Sequence, residues 1–342
     1  MSKKTKVLVF GYFGKKNQIQ EGQSVKTRNM SRIFKEMGCD VEEFDTESFR
    51  YDKLAIFKMV RMLFKCDKLC LLPAYNNLKM VFPILYVFSV LFRYDIYLFT
   101  IGGRLHLYLK ALPIHRWMVR RIKCVFNETH LLGKYLHDMH GFTNLEYCPN
   151  VKFVNFLPQK HHTSGELHLV FLARIIMEKG IDTIFGYADF LLKHSRKDVI
   201  IDFYGMVDPK DKEYFERQIT KYDFVEYKGI AQQTDIPEIL EKYDAMLFPT
   251  HYPTEGIPGS VLDAYIAGIP VIASDWTYAR ELIEDGKTGT IVPFDNNQEI
   301  FNKACEELLN DTTKLNHMKD EARLRAAEYH ADNAKRILTK YF

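Results

Sequence analysis

Glu255 and Asp263 stand eight positions apart within FPTHYPTEGIPGSVLDAYIAGIPVIASD (248–275), flanking the run Gly256-Ile257-Pro258-Gly259-Ser260-Val261. Small residues there let a ligand approach the backbone closely, and a helix starting just after them aims N–H groups and a positive dipole end at it. That favours an anion such as a diphosphate. Carboxylates that flank such a site are suited to holding sugar hydroxyls. Taken alone, the pair reads more readily as a solvated loop acid, Glu255, and a surface helix acid, Asp263. LVFLARIIMEKGIDTIF (169–185) reverses those odds: a buried strand delivers Arg174 to its carboxyl end, and Lys179-Gly180 follows five residues later. The two cations can converge on one diphosphate, arginine as a bidentate fork and lysine as a point charge.

The elements that must carry these residues are legible around them. Ala245-Met246-Leu247-Phe248 ends at Pro249 as a strand, Ser260 is suited to cap a helix through Asp263 and Ala267, and Gly268 and Pro270 stop it before the buried strand Val271-Ile272-Ala273. Strand signals at 168–173, 199–205, 224–227, 244–249, 270–274 and 288–292 alternate with helical stretches. An earlier series at 6–11, 41–45, 67–72, 95–101 and 123–127 alternates with helices at 22–37, 53–65, 76–92, 105–121 and 129–140. Both are βα repeats, hence mostly parallel doubly wound sheets with ligands at the carboxyl ends of strands. At 342 residues, two such α/β domains are expected. They are a first domain (1–157), the polar linker PQKHHTSGE (158–166), a second domain (167–325), and a C-terminal helical stretch (326–342) that crosses back to the first.

Composition narrows the class. The six cysteines show no metal-ligand or disulfide spacing, which implies a reducing compartment. MSKKTK runs into Val7-Leu8-Val9-Phe10, which reads as a first strand rather than a secretory segment. The formal charge of +3 conceals an asymmetry: residues 1–155 carry 25 Lys+Arg against 13 Asp+Glu, the remainder 22 against 31. A basic first half implies an anionic surface or polymer; no zinc-finger, RNP-like or heptad basic pattern supports nucleic acid, and none is expected as a partner. An anionic membrane leaflet fits better: KLAIFKMVRMLFK (53–65) spaces Lys58, Arg61 and Lys65 helically among apolar residues, although a domain helix with a solvated basic face reads the same way. MVFPILYVFSVLF (80–92) is too short to span a bilayer and is expected to be a buried helix. The chain is therefore expected in the cytoplasm, soluble or peripheral at the inner face of the cell membrane.

Candidate ligand groups in the first domain lie on two loops. After the first strand, Gly11 and Gly14 precede a long polar insert, which is not the dinucleotide fingerprint; Gly22 and Gln23, with Ser24, can present a helix start to an anion or sugar, or form a plain surface loop. Gly102-Gly103-Arg104 ends the fourth strand and permits close approach, and His106 follows, in a position more often structural than catalytic. His130, His137 and His140 lack supporting ligands, so no metal site is expected.

These residues together resemble the retaining glycosyltransferases of the GT-B fold, of the family-4 type. The likeness rests on ARIIMEKG (173–180), YGMVD and YKG (204–208, 227–229), EGIPGSVLDAYIAGIPVIASD (255–275) and RELIEDGKTGTIVP (280–293). It is looser in the first domain, where GQSVKTRN (22–29), TIGGR (100–104), NETHLLGKYL (127–136) and GFTNLEYCPNVK (141–152) look like bacterial polysaccharide-assembly members. The resemblance implies two Rossmann-like domains facing across a cleft and a nucleotide-sugar co-substrate, UDP- or GDP-linked, with no cofactor and no metal. No Asp-x-Asp pair of the metal-holding kind occurs. It implies that Arg174 and Lys179 bind the donor diphosphate and Glu255 the donor sugar. Gly205 and the 256–261 backbone would line the donor site, and Asp263 would meet the ribose where the family has glutamate. The family histidine at a first-domain strand end has no sure equivalent, TIGGR occupying its place. The expected activity is retaining transfer of a sugar to a saccharide, expected to be lipid-linked, in capsule, exopolysaccharide or O-antigen synthesis. The competing readings are a non-catalytic GT-B-like subunit of a membrane-associated glycosyltransferase complex and, less favoured, a sugar phosphorylase or nucleotide-sugar epimerase.

Overall fold

In a computed structural model, which describes residues 4–16, 22–163 and 165–342, the chain divides into two compact units, Met1–Phe153 with His330–Phe342, and Val154–Tyr329. Residues 17–21 of the first loop and Ser164 of the linker lie outside the described residues.

Unit 1 begins with β1 (Lys6–Gly11), whose residues from Val7 onward are all buried, the pattern of a parallel strand covered on both faces. It continues with α1 (Gly22–Glu36), β2 (Asp40–Asp45), α2 (Ala55–Leu63), β3 (Lys68–Leu72), α3 (Tyr75–Phe92), β4 (Asp95–Phe99), α4 (Leu105–Lys110), α5 (Pro113–Val119), β5 (Cys124–Asn127), α6 (His130–His140) and β6 (Leu145–Tyr147). The strands pair in parallel in the order β2-β1-β3-β4-β5-β6, reversing direction of growth between β1 and β3. Three expectations need correction. The single helix over 105–121 is two, because Pro113 has no N–H to give and holds Leu112 out of the helical region at φ −128°, ψ 77°. β6 is an additional three-residue edge strand, too short and only half-buried, so it does not signal itself. The helix over 80–92 is not buried: Met80, Ile84, Val87, Val90 and Leu91 are exposed, Met80 to 76%.

Unit 2 comprises β7 (Leu167–Leu172), α7 (Ile181–Lys193), β8 (Val199–Tyr204), α8 (Lys212–Ile219), β9 (Val225–Gly229), α9 (Ile236–Leu240), β10 (Ala245–Phe248), α10 (Gly259–Ala267), β11 (Val271–Ser274), α11 (Ala279–Leu282), β12 (Gly289–Val292), α12 (Gln298–Leu309) and α13 (Thr312–Ala326). Its parallel order is β12-β11-β10-β7-β8-β9, with the reversal between β7 and β10. That crevice is where a doubly wound sheet binds its ligand, and the loops after β7 and β10 carry Arg174, Lys179 and Glu255. Helix starts are fixed by side-chain caps at Asn297 and Asp311. α14 (Ala331–Leu338) belongs to unit 1, where Ala331, Ala334 and Leu338 join the core of Val7, Val9, Phe34, Tyr97 and Phe126.

Candidate functional site

Arg174 and Lys179 sit on a loop that leaves β7 and is stitched to the loop after β8. Ala173 N–H donates to the Tyr204 carbonyl (3.2 Å) and Ile175 N–H to that of Met206 (2.9 Å). This close approach explains Gly205: at φ 142° a Cβ there would lie 1.8 Å from the Ala173 carbonyl oxygen. The Arg174 guanidinium, about half exposed, lies 3.9 Å from the Asp208 carboxylate. Past a short 3-10 turn, Gly180 (φ 77°) starts α7, and a Cβ on it would stand 1.8 Å from the Pro249 carbonyl oxygen.

That contact brings the β10–α10 loop against the β7–α7 loop. Thr250, fully buried, holds both. Its hydroxyl lies 3.3 Å from the Glu178 carbonyl and 3.4 Å from the Glu255 carboxylate, its own carbonyl accepts from the Ser274 hydroxyl (2.5 Å), and His251 N–H donates to Glu178 (3.0 Å). Within this frame the Lys179 ammonium donates to Glu255, both largely shielded from water, with the Phe248 ring 5.7 Å from the ammonium. Glu178 faces outward to Lys210 (2.6 Å), a hydrogen bond that lowers its pKa.

α10 begins at this point. Its N-cap is Pro258, which has no hydrogen bond to give, and not Ser260 as the sequence suggested; the first turn holds no acid. Proline at φ −65°, ψ 127° takes the extended cap conformation unaided, which places Ser260 one residue inside the helix. The helix is buried from Val261 to Ala267, with Asp263 only 7% exposed, which removes the reading of Asp263 as a surface acid. Gly256 and Ile257 are buried and Pro258, Gly259 and Ser260 half-buried. Apolar packing therefore fixes α10 directly after the loop that carries Glu255.

In unit 1 the candidate residues fall into two groups. Gly14 is buried with φ 63°. Gly22 is the first residue of α1, and Gln23 has a buried amide nitrogen without a partner among the described residues. The Gly102-Gly103-Arg104 loop is clamped from two sides. Gly102 N–H (φ 71°) donates to Glu128 (3.1 Å), and the Tyr75 hydroxyl donates to the Ile101 carbonyl (3.1 Å) while accepting from Arg104 N–H (3.1 Å). His106 is buried, its ring 4.8 Å from that of Tyr135, and burial lowers its pKa against a backbone hydrogen bond to Gly103.

Sequence reasoning passed over Thr250 and the pair Lys26–Glu128. Thr250 carried a signal, as the first polar residue after a buried strand. Lys26 and Glu128 are 4% and 3% exposed and paired, with Lys26 also donating to the Thr100 carbonyl (2.7 Å). They lie 102 residues apart, and nothing local announces the pairing. Among the described residues no group of three or more His, Cys, Asp or Glu could hold a metal ion.

Residues 154–325 match the model of the family described as glycosyl transferases group 1. Among individual proteins, the chain is 29% identical over 110 residues to WcaL of Salmonella typhimurium, provisionally named a colanic acid biosynthesis glycosyltransferase, covering 31% of this chain and 27% of that one. It is 26% identical over 202 residues to an uncharacterised 41.2 kDa protein of the Klebsiella pneumoniae cps region, covering 59% and 49%. The matches thus span half or less of those relatives. The backbone is similar to that of HepE from Anabaena in complex with UDP and glucose, with a TM-score of 0.76, 14% identity and 98% of both chains covered. That likeness bears on the fold alone.

Proposed function

The chain belongs to the glycosyl transferases group 1, and on that premise we propose that it transfers a sugar from a nucleotide-sugar donor to a saccharide acceptor with retention of anomeric configuration. The observation that carries this reading is the Lys179–Glu255 pair, seated by Thr250 at the start of buried α10 in the crevice of unit 2. Donor binding parts the pair. Lys179 and Arg174 turn to the diphosphate at the α10 N-terminus, Glu255 takes the sugar hydroxyls, the backbone of Gly205 and of 256–261 lines the site, and Asp263 meets the ribose. The donor is a UDP- or GDP-sugar; UDP is the nucleotide in the HepE complex.

In the reaction the C1–O bond to the diphosphate breaks and its electron pair leaves with the phosphate. The acceptor oxygen bonds C1 from the same face and its proton passes to the departing phosphate oxygen. No protein nucleophile is required; catalysis is positioning plus stabilisation of the leaving charge by two cations and a helix dipole, without a metal. The acceptor is a lipid-linked saccharide of surface polysaccharide synthesis, met by unit 1 through Gly14, Gly22, Gln23, the Gly102–Arg104 loop and His106, at the inner face of the membrane.

A thermal-shift panel of UDP-, GDP- and ADP-sugars tests the donor, since a ligand at a hundred times its Kd stabilises by about 2.7 kcal/mol. One nucleotide class should raise the melting temperature, and Arg174→Ala should remove that gain. No shift and no sugar transfer or donor hydrolysis with any of them would sink the enzyme reading and leave a non-catalytic subunit.

A further inference from the structure

The apolar surface of α3, which the sequence assigned to the interior, lies outside, and it continues onto two further helices of unit 1. On α3, Met80, Ile84, Val87 and Leu91 recur at helical spacing and are 76%, 48%, 55% and 63% exposed. α2 adds Ile56 and Phe57, with Phe64 just past its end, and α5 adds Ile114 and Trp117, all more than half exposed. Ring contacts join the three: Phe64 stands edge-on to Phe92 of α3 (5.4 Å), and Tyr86 of α3 to Trp117 of α5 (5.8 Å). α5 is also tied to α3 at its weak point. Pro83 cannot donate to the Lys79 carbonyl one turn back, and the His115 side chain supplies that hydrogen bond instead (3.0 Å).

Charge around this face is predominantly positive, although Lys58 is paired with Asp52 just ahead of α2 (2.6 Å). From Lys53 to Asn127 there are thirteen Lys and Arg and two acids, Asp67 and Asp95, and α2, α3 and α5 contain no acid. Lys58, Arg61, Lys65, Lys79, Arg93, Arg120 and Arg121 are exposed. Arg121 lies over the Trp117 ring (4.1 Å to the centroid), a cation held on an aromatic at the rim. An apolar patch of this extent rimmed by cations, with an exposed tryptophan, has the chemistry of the boundary between acyl chains and anionic headgroups. Among the described residues no helix is long and apolar enough to cross a membrane.

We propose that the α2–α3–α5 face docks unit 1 onto an anionic lipid bilayer, with Phe57, Phe64, Met80, Ile84, Val87, Ile114 and Trp117 entering the interface and Arg61, Lys65 and Arg121 meeting lipid phosphates. This deepens the membrane part of the proposed function, and its test needs no donor, acceptor or turnover, so the two can fail separately. The chain has two tryptophans, and Trp276 is buried in unit 2, so quenching by lipids carrying bromine on their acyl chains reports Trp117. Mixed phosphatidylglycerol and phosphatidylcholine vesicles should quench and blue-shift its emission at low salt, with loss as salt rises. Arg61→Gln with Lys65→Gln should weaken partitioning by about twenty-five-fold, about fivefold for each cation removed. Phe57→Ser with Ile84→Ser should abolish quenching at unchanged melting temperature, since both side chains are exposed. Absence of quenching on anionic vesicles at low salt overturns the proposal. So does a lipid-free dimer, seen by sedimentation, that shields Trp117 from aqueous iodide, because the face would then belong to a second copy.

Discussion

Gly180→Ala isolates what sets the distance between Lys179 and Glu255. Two costs combine at this residue. An L-residue at φ 77° is in the left-handed region, which costs roughly 1–2 kcal/mol. A Cβ would also stand 1.8 Å from the Pro249 carbonyl oxygen, where contacts under 3.0 Å are essentially never seen, so the β7–α7 and β10–α10 loops must part by about 1 Å. The obstacle is backbone on both sides and has no side chain that can swing away. Gly286 offers the control: its φ is also 77°, and a Cβ on it meets nothing within 4 Å.

Gly286→Ala should therefore show backbone strain alone, a melting-temperature loss of about 2–8 °C for roughly 1–2 kcal/mol in a domain of this size. Gly180→Ala should lose more, and should also lose transfer activity. A misplacement of about 1 Å at a catalytic group can cost about a hundredfold, so kcat/KM for sugar transfer should drop by about that factor relative to Gly286→Ala, assayed well below both melting temperatures. Equal kcat/KM in the two variants would refute the reasoning, since the seat of Lys179 on Glu255 would then not depend on the approach of the two loops.

Four further outcomes follow from the same contacts. Thr250→Val keeps the volume but removes the hydroxyl shared by the Glu178 carbonyl and Glu255; a stability loss of about 1–3 kcal/mol and weaker donor-induced stabilisation are expected in denaturant and thermal-shift titrations. Lys26→Met leaves Glu128 buried without its cation and should cost about 3–5 kcal/mol; in a double-mutant cycle, Lys26→Met with Glu128→Gln should cost clearly less than the sum of the single changes. Burial holds the His106 pKa below its ordinary 6.5, so the unfolded chain takes up a proton first as pH falls. Stability should decline from about pH 6.5 downward, and less steeply in His106→Gln. Asp263→Ala should weaken donor binding without abolishing the Lys179–Glu255 pair; unchanged donor affinity would remove Asp263 from the nucleotide site.

The placement of the candidate residues in unit 2 was legible because it is set locally. Arg174, Lys179 and Glu255 each follow a strand that ends in four consecutive apolar residues, Leu169–Leu172 or Ala245–Phe248, so both loops leave the carboxyl edge of one sheet. What was not legible came from contacts at long range. The Ser260 cap assignment failed because a proline already in the extended conformation can end the loop earlier. Thr250 and the Lys26–Glu128 pair matter through partners that the chain brings in from elsewhere in the fold. α4 and α5 were merged because their apolar period continues across the break, while Pro113 ends it through backbone geometry.

The misreading of α3 is of a different kind. Hydrophobic content measures how strongly a helix avoids water and carries no information about what replaces the water, so Met80, Ile84, Val87 and Leu91 read the same against a protein core or against lipid. The residues that distinguish the two cases are outside the apolar run. A core helix needs neighbours on every side, whereas α3 is buried on the Leu78, Phe82 and Leu85 side, where those residues are at most 1% exposed. Its other side is ringed by the cations of α2 and α5 and by Arg93, without a carboxylate among the three helices. Avoidance of water and predominantly positive charge together specify an amphiphilic anionic partner, and each signal alone is ambiguous. Removing the charge should therefore change the rate and salt dependence of vesicle binding. Removing the apolar stripe should change how long the bound state lasts, which stopped-flow quenching of Trp117 measures separately. If both sets of substitutions altered only the association rate, the apolar face would be making no contact with acyl chains.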